Sequence, residues 1–225
     1  MCIISGCVTK DFGVIASDSA MYDNGKVSFN LPKMNFVNGN LLTFIGMPLF
    51  FMNLDKFKIG SCFLASVIYL KDHFRSMEKQ VGEILTKVNS NPDDQKPVLC
   101  AFLMGVHDKR PVLAQFNSFQ GFEPTYLYSD NGPKFSTIFY GDDKPDKKKM
   151  FIDSTSFMEE KLKDFSDKGI EATPWVLGEI LTRGIYSKAD AEEKMEPRKK
   201  YAGGIVTVAS IHSDGKAYCL SDVRL

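Results

Sequence analysis

Strand patterns and helix patterns occur in separate groups along this chain, rather than alternating one by one. Short apolar and β-branched runs come first, and a long stretch with apolar residues at helical spacing follows. The same succession is then repeated before a closing pair of strands. Turn residues such as Asn38-Gly39 connect neighbouring strands, which predicts antiparallel hairpins. This grouping favours antiparallel sheets layered with helices over alternating βαβ units, so the predicted fold class is α+β.

The predicted strands are short and are bounded by Gly, Asn, Asp or Pro. They cover residues 3–8, 14–16, 33–37, 41–45, 98–106, 112–116, 126–128, 135–140, 205–211 and 216–220. Asn24-Gly25 is a further strong turn signal, and the closing hairpin is predicted to turn at residues 213–215.

Two helices are predicted between the first strand groups. Apolar residues at helical spacing, with charges between them, indicate helices over residues 50–70 and 74–88. A later run of mixed charge, residues 142–149, is expected to form a solvated loop.

Two further helices are predicted before the closing strands. Ser156 and Glu159 resemble a capping box at the start of one of them. Thr173-Pro174 predicts the start of the other, with proline at the first helical position and an end at about Ala189.

The length and charge of the chain limit its domain number and its partners. A chain of 225 residues can bury a core of its own, and we predict a single domain over residues 1–225. The 28 basic residues are balanced by 28 acidic ones. This balance gives no electrostatic reason to expect nucleic acid or an anionic membrane as a partner.

The cysteines and the apolar segments indicate a compartment. Five cysteines without a CxxC pair are typical of reduced thiols in a cytoplasmic protein. The first residues lack the basic flank and unbroken apolar run of a signal peptide. The most apolar stretch, residues 41–52, is interrupted by Gly46 and Pro48 and is shorter than the about 20 residues that a membrane helix needs. We therefore expect a soluble, cytoplasmic protein.

Several classes of enzyme find no support in the sequence. It contains neither a phosphate-binding glycine loop nor a GxSxG nucleophile elbow. His73, His107 and His212 are scattered without the spacing of metal ligands, so no metal and no cofactor are expected. A papain-like pairing of Cys100 with one of these histidines stays open, without any local motif to support it.

Cys2 directly follows the initiator methionine, and this position gives it a special chemistry. Methionine is usually removed before a small residue, which would leave Cys2 with a thiol and a free α-amine. An α-amine has a pKa of about 7.7–8.0 and can accept a proton near neutral pH. A deprotonated thiol is in turn a strong nucleophile. Composition alone favours the other interpretation, in which Cys2 is a small buried residue of the first strand.

Three segments of the chain resemble the β-type subunits of proteasomes. The segment "GVIASDSA" (residues 13–20) resembles their strand with an aspartate, and "KMNFVNGNLLTFIG" (residues 33–46) resembles their lysine strand, turn and glycine. The segment "YAGGIVTVASIHSDGKAYCLS" (residues 201–221) is similar to their closing hairpin. The strand pair within residues 100–122 also fits, so the resemblance extends over nearly the whole chain in order and spacing.

The resemblance implies a fold, a reaction and a set of site residues. These subunits belong to the N-terminal nucleophile hydrolases, which have a four-layer αββα sandwich of two antiparallel sheets and cleave amide or peptide bonds. Cys2 would be the nucleophile, Asp18 would partner Lys33, and the N–H of Gly46 would serve the oxyanion hole. The implied substrate is a peptide or a small amide. Self-association as a homo-oligomer, with a ring as one form, would use the helices within residues 50–88.

The substrate pocket is also predicted by this resemblance. Its residues would come from Ala20, Met21, Phe44, Ile45 and Met47. These side chains are mostly apolar, which indicates an apolar pocket.

Two features depart from the family pattern. Lys199 stands where active β-type subunits have a second acid, and Ala202 stands where they have a serine; Glu196 is the nearest acid. The family's Gly-Ser-Gly turn is replaced by "YGDD" (residues 140–143), in which Asp142 could take over part of its role. The groups that orient the α-amine are therefore altered.

Two other functions are consistent with the sequence. The altered residues favour a catalytically inactive proteasome-like subunit with a role in assembly or binding. A glutamine amidohydrolase with a "Met-Cys" start is the third alternative, but such enzymes usually have glycine soon after the cysteine, whereas Ile3-Ile4 follows here.

Overall fold

The structure is a computed structural model that describes residues 2–23, 26–30, 33–46, 50, 62–88, 98–140, 145–195 and 205–224. Helices and strands alternate in groups within these ranges, as the sequence predicts. In chain order they are β1 (Cys2–Val8), β2 (Phe12–Asp18), β3 (Ala20–Asp23), β4 (Lys26–Asn30), β5 (Met34–Val37), β6 (Asn40–Gly46), α1 (Phe63–Val88), β7 (Leu99–His107), β8 (Arg110–Asn117), β9 (Thr125–Leu127), β10 (Lys134–Tyr140), α2 (Pro145–Asp167), α3 (Pro174–Met195), β11 (Ile205–His212) and β12 (Ala217–Arg224).

Two five-stranded antiparallel sheets form the centre of the described structure. Sheet one has the strand order β10-β1-β2-β11-β12, and sheet two has the order β5-β6-β7-β8-β9. Every strand pair in both sheets is antiparallel, which confirms the α+β class. The separate β3–β4 hairpin was not predicted as strands, although the turn signal Asn24-Gly25 lies between them, outside the described residues.

The two sheets pack against each other through one apolar layer. Successive side chains of a strand point to opposite faces of its sheet. Leu41 and Ile45 of β6 therefore lie in this layer, whereas Leu42 and Phe44 belong to the cluster that contains the residues of α1. The buried residues of the layer are Ile4, Val8, Ile15, Ala209 and Ile211 from sheet one, and Leu41, Ile45, Cys100, Phe102, Met104 and Leu113 from sheet two.

Gly6 of β1 allows the sheets to approach closely at one point. A Cβ at this position would be 2.9 Å from Cδ2 of Leu113 in sheet two, which is closer than real Cβ atoms come. A larger residue would have to push the sheets apart or displace Leu113.

The outer faces of the two sheets are covered by different helices. Phe63, Val67, Leu70, Phe74, Met77 and Val81 of α1 are buried against sheet two. Met158 of α2 and Leu177, Ile180, Leu181 and Ile185 of α3 are buried against sheet one. The central strands are thus buried on both faces, which explains why runs such as residues 41–45 are almost wholly apolar.

Two helix predictions were wrong in their bounds. α1 is one continuous helix through residues 71–73, since no Gly or Pro interrupts it and Leu70, Phe74 and Met77 continue one apolar stripe. α2 begins at Pro145, so part of the predicted charged loop is helical and Ser156 lies inside the helix instead of capping it. Proline is favoured at the first helical position, which explains the start of α2 at Pro145.

The start of α3 is confirmed as predicted. Thr173 Oγ1 accepts a hydrogen bond from the N–H of Val176 at 3.3 Å, and the Thr173 carbonyl accepts one from the N–H of Leu177 at 3.0 Å. Thr173 is therefore the N-cap. The helix continues past Ala189 to Met195.

None of the helices in the described ranges is long and apolar enough to cross a bilayer.

Candidate active site

Asp18 and Lys33 form a buried ion pair between the two sheets. Asp18 is the last residue of β2 in sheet one, and Lys33 directly precedes β5 of sheet two. The distance from Lys33 Nζ to Asp18 Oδ1 is 3.0 Å, and the two side chains are 1% and 0% exposed. The structure therefore brings together two residues that are 15 positions apart, as the resemblance to proteasome β-type subunits implies.

A second donor reaches the same carboxylate oxygen. The N–H of Ile3 donates a hydrogen bond to Asp18 Oδ1 at 2.9 Å. The pairing of β1 with β2 explains this contact, because the register that sets Ile4 opposite Ser17 brings Ile3 beside Asp18. Asp18 thus connects the lysine to the main chain one residue after Cys2.

Cys2 is described through its main chain alone. It is the first residue of β1, and its Cα lies opposite that of Tyr140 in β10. Its side chain and Met1 lie outside what the structure describes. The start of β1, the end of β2 and the end of β10 all lie at the same end of sheet one, because neighbouring strands are antiparallel.

Gly46 ends β6 at the corresponding end of sheet two. Met34, the first residue of β5, is paired with Thr43 of the antiparallel strand β6. Gly46 lies three residues further along β6, so it is at the end of the sheet where β5 begins. Gly46 has φ +106°, and a Cβ there would collide with the carbonyl oxygen of Val98. Only glycine suits this conformation and this close approach.

Burial makes the Asp18–Lys33 pair costly to break. Two charges removed from water lose their hydration, and the loss is offset only by their mutual attraction and by further hydrogen bonds. Asp18 receives such a bond from Ile3. Removing one partner would leave the other charge buried without this attraction.

Ser19, the residue after Asp18, makes a contact beside the candidate site that the sequence did not predict. Its Oγ accepts a hydrogen bond from the N–H of Ile205 at 2.8 Å, and Ser19 is 6% exposed. The bond joins the start of β11 to the residue after Asp18. The small polar residue in "SDSA" at a strand end was the available signal.

Two other cysteines are poor nucleophiles in this structure. Burial raises the pKa of the Cys7 thiol far above its usual value and the pKa of the Cys100 thiol to about 12. Both are therefore neutral thiols near pH 7. Cys100 lies in the layer between the sheets, and His107 is seven residues further along the same strand. The papain-like pairing of Cys100 with His107 is therefore wrong.

His73 and His212 also have other surroundings. His73 Nε2 is 2.8 Å from the carbonyl oxygen of Phe50. His212 packs between the rings of Phe12 and Tyr218. Within the described ranges, His, Cys, Asp and Glu side chains nowhere gather in a group of three that could hold a metal ion.

The predicted substrate pocket is corrected in one respect. Phe44 packs in the cluster with α1, while Ile45 packs in the layer between the sheets, so the two do not share one pocket. The side chains of Ala20 and Met21 and the whole of Met47 lie outside the described residues.

The residues that depart from the family pattern also lie outside the described ranges. These are Glu196, Lys199 and Ala202, together with residues 141–143.

The whole chain was compared with known proteins. No protein-family model matches it, and a search of curated proteins found no significant match.

Proposed function

We propose that this protein is an N-terminal nucleophile hydrolase of the proteasome-like type, which cleaves amide or peptide bonds. Cys2 acts as the nucleophile after Met1 has been removed. Asp18, Lys33 and Gly46 complete the site.

One observation carries this proposal: the buried ammonium of Lys33 and the main chain beside Cys2 share one carboxylate oxygen of Asp18. A buried charge pair is weak evidence for a contribution to stability, since apolar residues of similar size often serve as well. A fixed positive charge near the chain start has a chemical use, because it favours a thiolate.

The first step transfers a proton within Cys2. The α-amine, in its uncharged form, accepts the proton of the thiol, which gives an ammonium and a thiolate. The positive charge of Lys33, held in place by the ion pair with Asp18, stabilises the thiolate and opposes protonation of the resting amine. The thiolate sulfur attacks the carbonyl carbon of the substrate, and the carbonyl electron pair moves to oxygen.

The later steps release the two products. The N–H of Gly46 donates to the oxyanion of the tetrahedral intermediate, a kind of contact that is typically worth about 3–4 kcal/mol. The ammonium formed on Cys2 returns its proton to the leaving amine as the C–N bond breaks. Water, activated by the same amine, then hydrolyses the thioester and restores the free thiol.

The finer fold assignment is part of the same proposal. We infer a four-layer αββα sandwich, supported by the three apolar clusters between α1 and sheet two, between the two sheets, and between sheet one and the helices α2 and α3. A cytoplasmic location is proposed from the sequence alone. Self-association as a homo-oligomer, with a ring as one form, is proposed on the same basis.

Substitution of the nucleophile tests the reaction. With a panel of fluorogenic peptide amides and L-glutamine as substrates, Cys2→Ala is expected to lower kcat/KM by a factor of about 10³ or more, since acyl transfer through sulfur is lost. Cys219→Ala is the matched control, because Cys219 is an exposed thiol in β12, and it should retain full activity. Equal kcat/KM for Cys2→Ala and the parent protein would contradict the proposal.

A second function is favoured by the altered helper residues. Lys199 and Ala202 suit an inactive subunit with a role in assembly or binding. In that case the parent protein cleaves none of the substrates in the panel, and the Cys2→Ala variant forms the same oligomer as the parent protein.

A further inference from the structure

A cavity of about 390 Å³ lies between α3 and the β11–β12 edge of sheet one. Val208 of β11 and Leu220 of β12 form its apolar floor. Leu220 is the extra residue of a β-bulge, because Val208 pairs with Ser221 while the next residue, Ala209, pairs with Cys219. A bulge redirects a side chain, and here the redirected side chain lines the cavity.

Gly178 sets how close α3 comes to this floor. A Cβ at Gly178 would be 3.0 Å from Cγ1 of Val208 and 3.5 Å from Cδ1 of Leu220. The helix therefore approaches the sheet closely at one turn, and the cavity opens beside this contact. Its volume is at the lower end of the about 300–1,000 Å³ of ligand pockets, which limits the ligand to a small molecule.

An aromatic wall stands exposed at the cavity. Trp175, the single tryptophan of the chain, lines it and is 63% exposed. A large indole left this far in water provides an apolar face that a ligand can cover.

The other side of the cavity carries two opposite charges next to each other. Arg183 Nε and Nη2 both donate to Oε1 of Glu179, at 3.0 and 2.5 Å. Among the described residues, Oε2 of Glu179 and Nη1 of Arg183 make no hydrogen bond. The pair thus offers an acceptor oxygen and a donor nitrogen to a ligand, and it has no net charge.

We propose that this cavity binds a zwitterionic α-amino acid with an aromatic or large apolar side chain. The side chain covers Val208 and Leu220 and packs against Trp175, the ammonium donates to Glu179, and the carboxylate accepts from Arg183. A ligand with a carboxylate alone would match Arg183 but place its negative charge beside Glu179. A ligand with an ammonium alone would match Glu179 but place its positive charge beside Arg183. A zwitterion matches both residues, so it fits this neutral pair best. This inference does not depend on the proposed hydrolase activity.

The tryptophan allows a direct binding experiment. L-Phenylalanine is added to the full chain while Trp175 fluorescence is followed, and 3-phenylpropionate and phenethylamine are added in parallel. We expect a saturable change with L-phenylalanine and at least about tenfold weaker binding of each analogue, because each lacks one charge-assisted hydrogen bond.

Exposed charges allow matched variants that keep the fold. Glu179→Gln and Arg183→Gln are each expected to weaken L-phenylalanine binding about tenfold or more. Arg110→Gln is the control: Arg110 is 55% exposed and paired with Asp130, much as Arg183 is 56% exposed and paired with Glu179. It should bind as the parent protein does, and unchanged thermal midpoints should verify folding.

Three results would overturn the proposal. One is the absence of any saturable change up to about 10 mM L-phenylalanine. Another is equal affinity for the three ligands, which would indicate a merely apolar contact. The last is unchanged binding in both Glu179→Gln and Arg183→Gln.

Discussion

At the residue scale, the position of one carboxylate oxygen organises the candidate site. Asp18 Oδ1 accepts from Lys33 and from the N–H of Ile3, so it links the two sheets and fixes the main chain that follows Cys2. The lysine is 1% exposed, which is rare for this residue type without a partner.

The buried pair leads to a stability prediction. Lys33→Met would leave the Asp18 carboxylate buried without its ammonium partner, and such a loss typically costs about 3–5 kcal/mol of unfolding free energy. Adding Asp18→Asn should recover part of this loss, because the amide oxygen can still accept from Ile3. Urea unfolding of the three proteins measures both effects.

An exposed lysine provides the control for this prediction. Lys216 is paired with Asp214 on the surface, so Lys216→Met should change the unfolding free energy little. If Lys33→Met proved as stable as the parent protein, or if Asp18→Asn added no recovery, the account of the pair would be wrong.

The sequence predicted these residues only in combination. A lone lysine before a strand has no feature that distinguishes it from a surface lysine, and an aspartate at a strand end suits a turn. Only the resemblance of residues 13–20 and 33–46 to one family indicated that Asp18 and Lys33 are partners. The ion pair at 3.0 Å confirms that the two side chains meet. The Ser19–Ile205 bond escaped prediction because it depends on the placement of β11 beside β2.

At the element scale, α1 is held to the loop between β8 and β9 by charge as well as by its apolar face. Lys71 and Arg75, one turn apart on α1, both donate to the carboxylate of Glu123. Arg75 Nε also donates to the carbonyl oxygen of Gly121 at 2.8 Å. The contact anchors this loop to the centre of the helix.

This contact predicts a pH dependence of stability. The hydrogen bonds from Lys71 and Arg75 lower the pKa of the Glu123 carboxyl below its usual value. Its stabilising contribution is therefore present above the unfolded-state pKa of about 4.3 and is lost as pH falls through the lower folded-state value. Glu123→Gln should be less stable than the parent protein at pH 7, and the difference should shrink in acid.

Urea unfolding at several pH values, from pH 7 down to values below the folded-state pKa of Glu123, checks this expectation. Glu83→Gln, at an exposed glutamate of the same helix, is the control and should follow the parent protein at every pH. A parallel pH dependence of Glu123→Gln and the parent protein would show that the Glu123 contact contributes nothing.

Most elements were predictable because their signals are local. Turn residues fixed the strand bounds to within a few residues, and Thr173-Pro174 identified the start of α3. The β3–β4 hairpin was not predicted because its strands have only four and five residues, and "AMYD" shows no clear alternation, although "KVSFN" alternates polar and apolar residues. The start of α2 differs from the prediction because the dense mixed charge of residues 142–149 is typical of a loop, whereas Pro145 favours a helical start.

At the scale of the whole molecule, the candidate site lies where the corresponding ends of the two sheets meet. Asp18 comes from sheet one and the Lys33–Gly46 hairpin from sheet two, so the site forms only when the sheets pack. The apolar layer between the sheets therefore holds the site together. This coupling could not be derived from composition, because sheet packing depends on strand order and register.

The most direct test concerns Cys2 itself. Intact-mass analysis should find the purified protein without Met1, and an equimolar thiol-directed electrophile should add one adduct, which peptide mapping assigns to Cys2 ahead of the exposed Cys62 and Cys219. Lys33→Met should slow this labelling, because the fixed charge that favours the thiolate is removed. A persistent Met1 in protein that cleaves substrate, or labelling that spares Cys2, would contradict an N-terminal cysteine nucleophile.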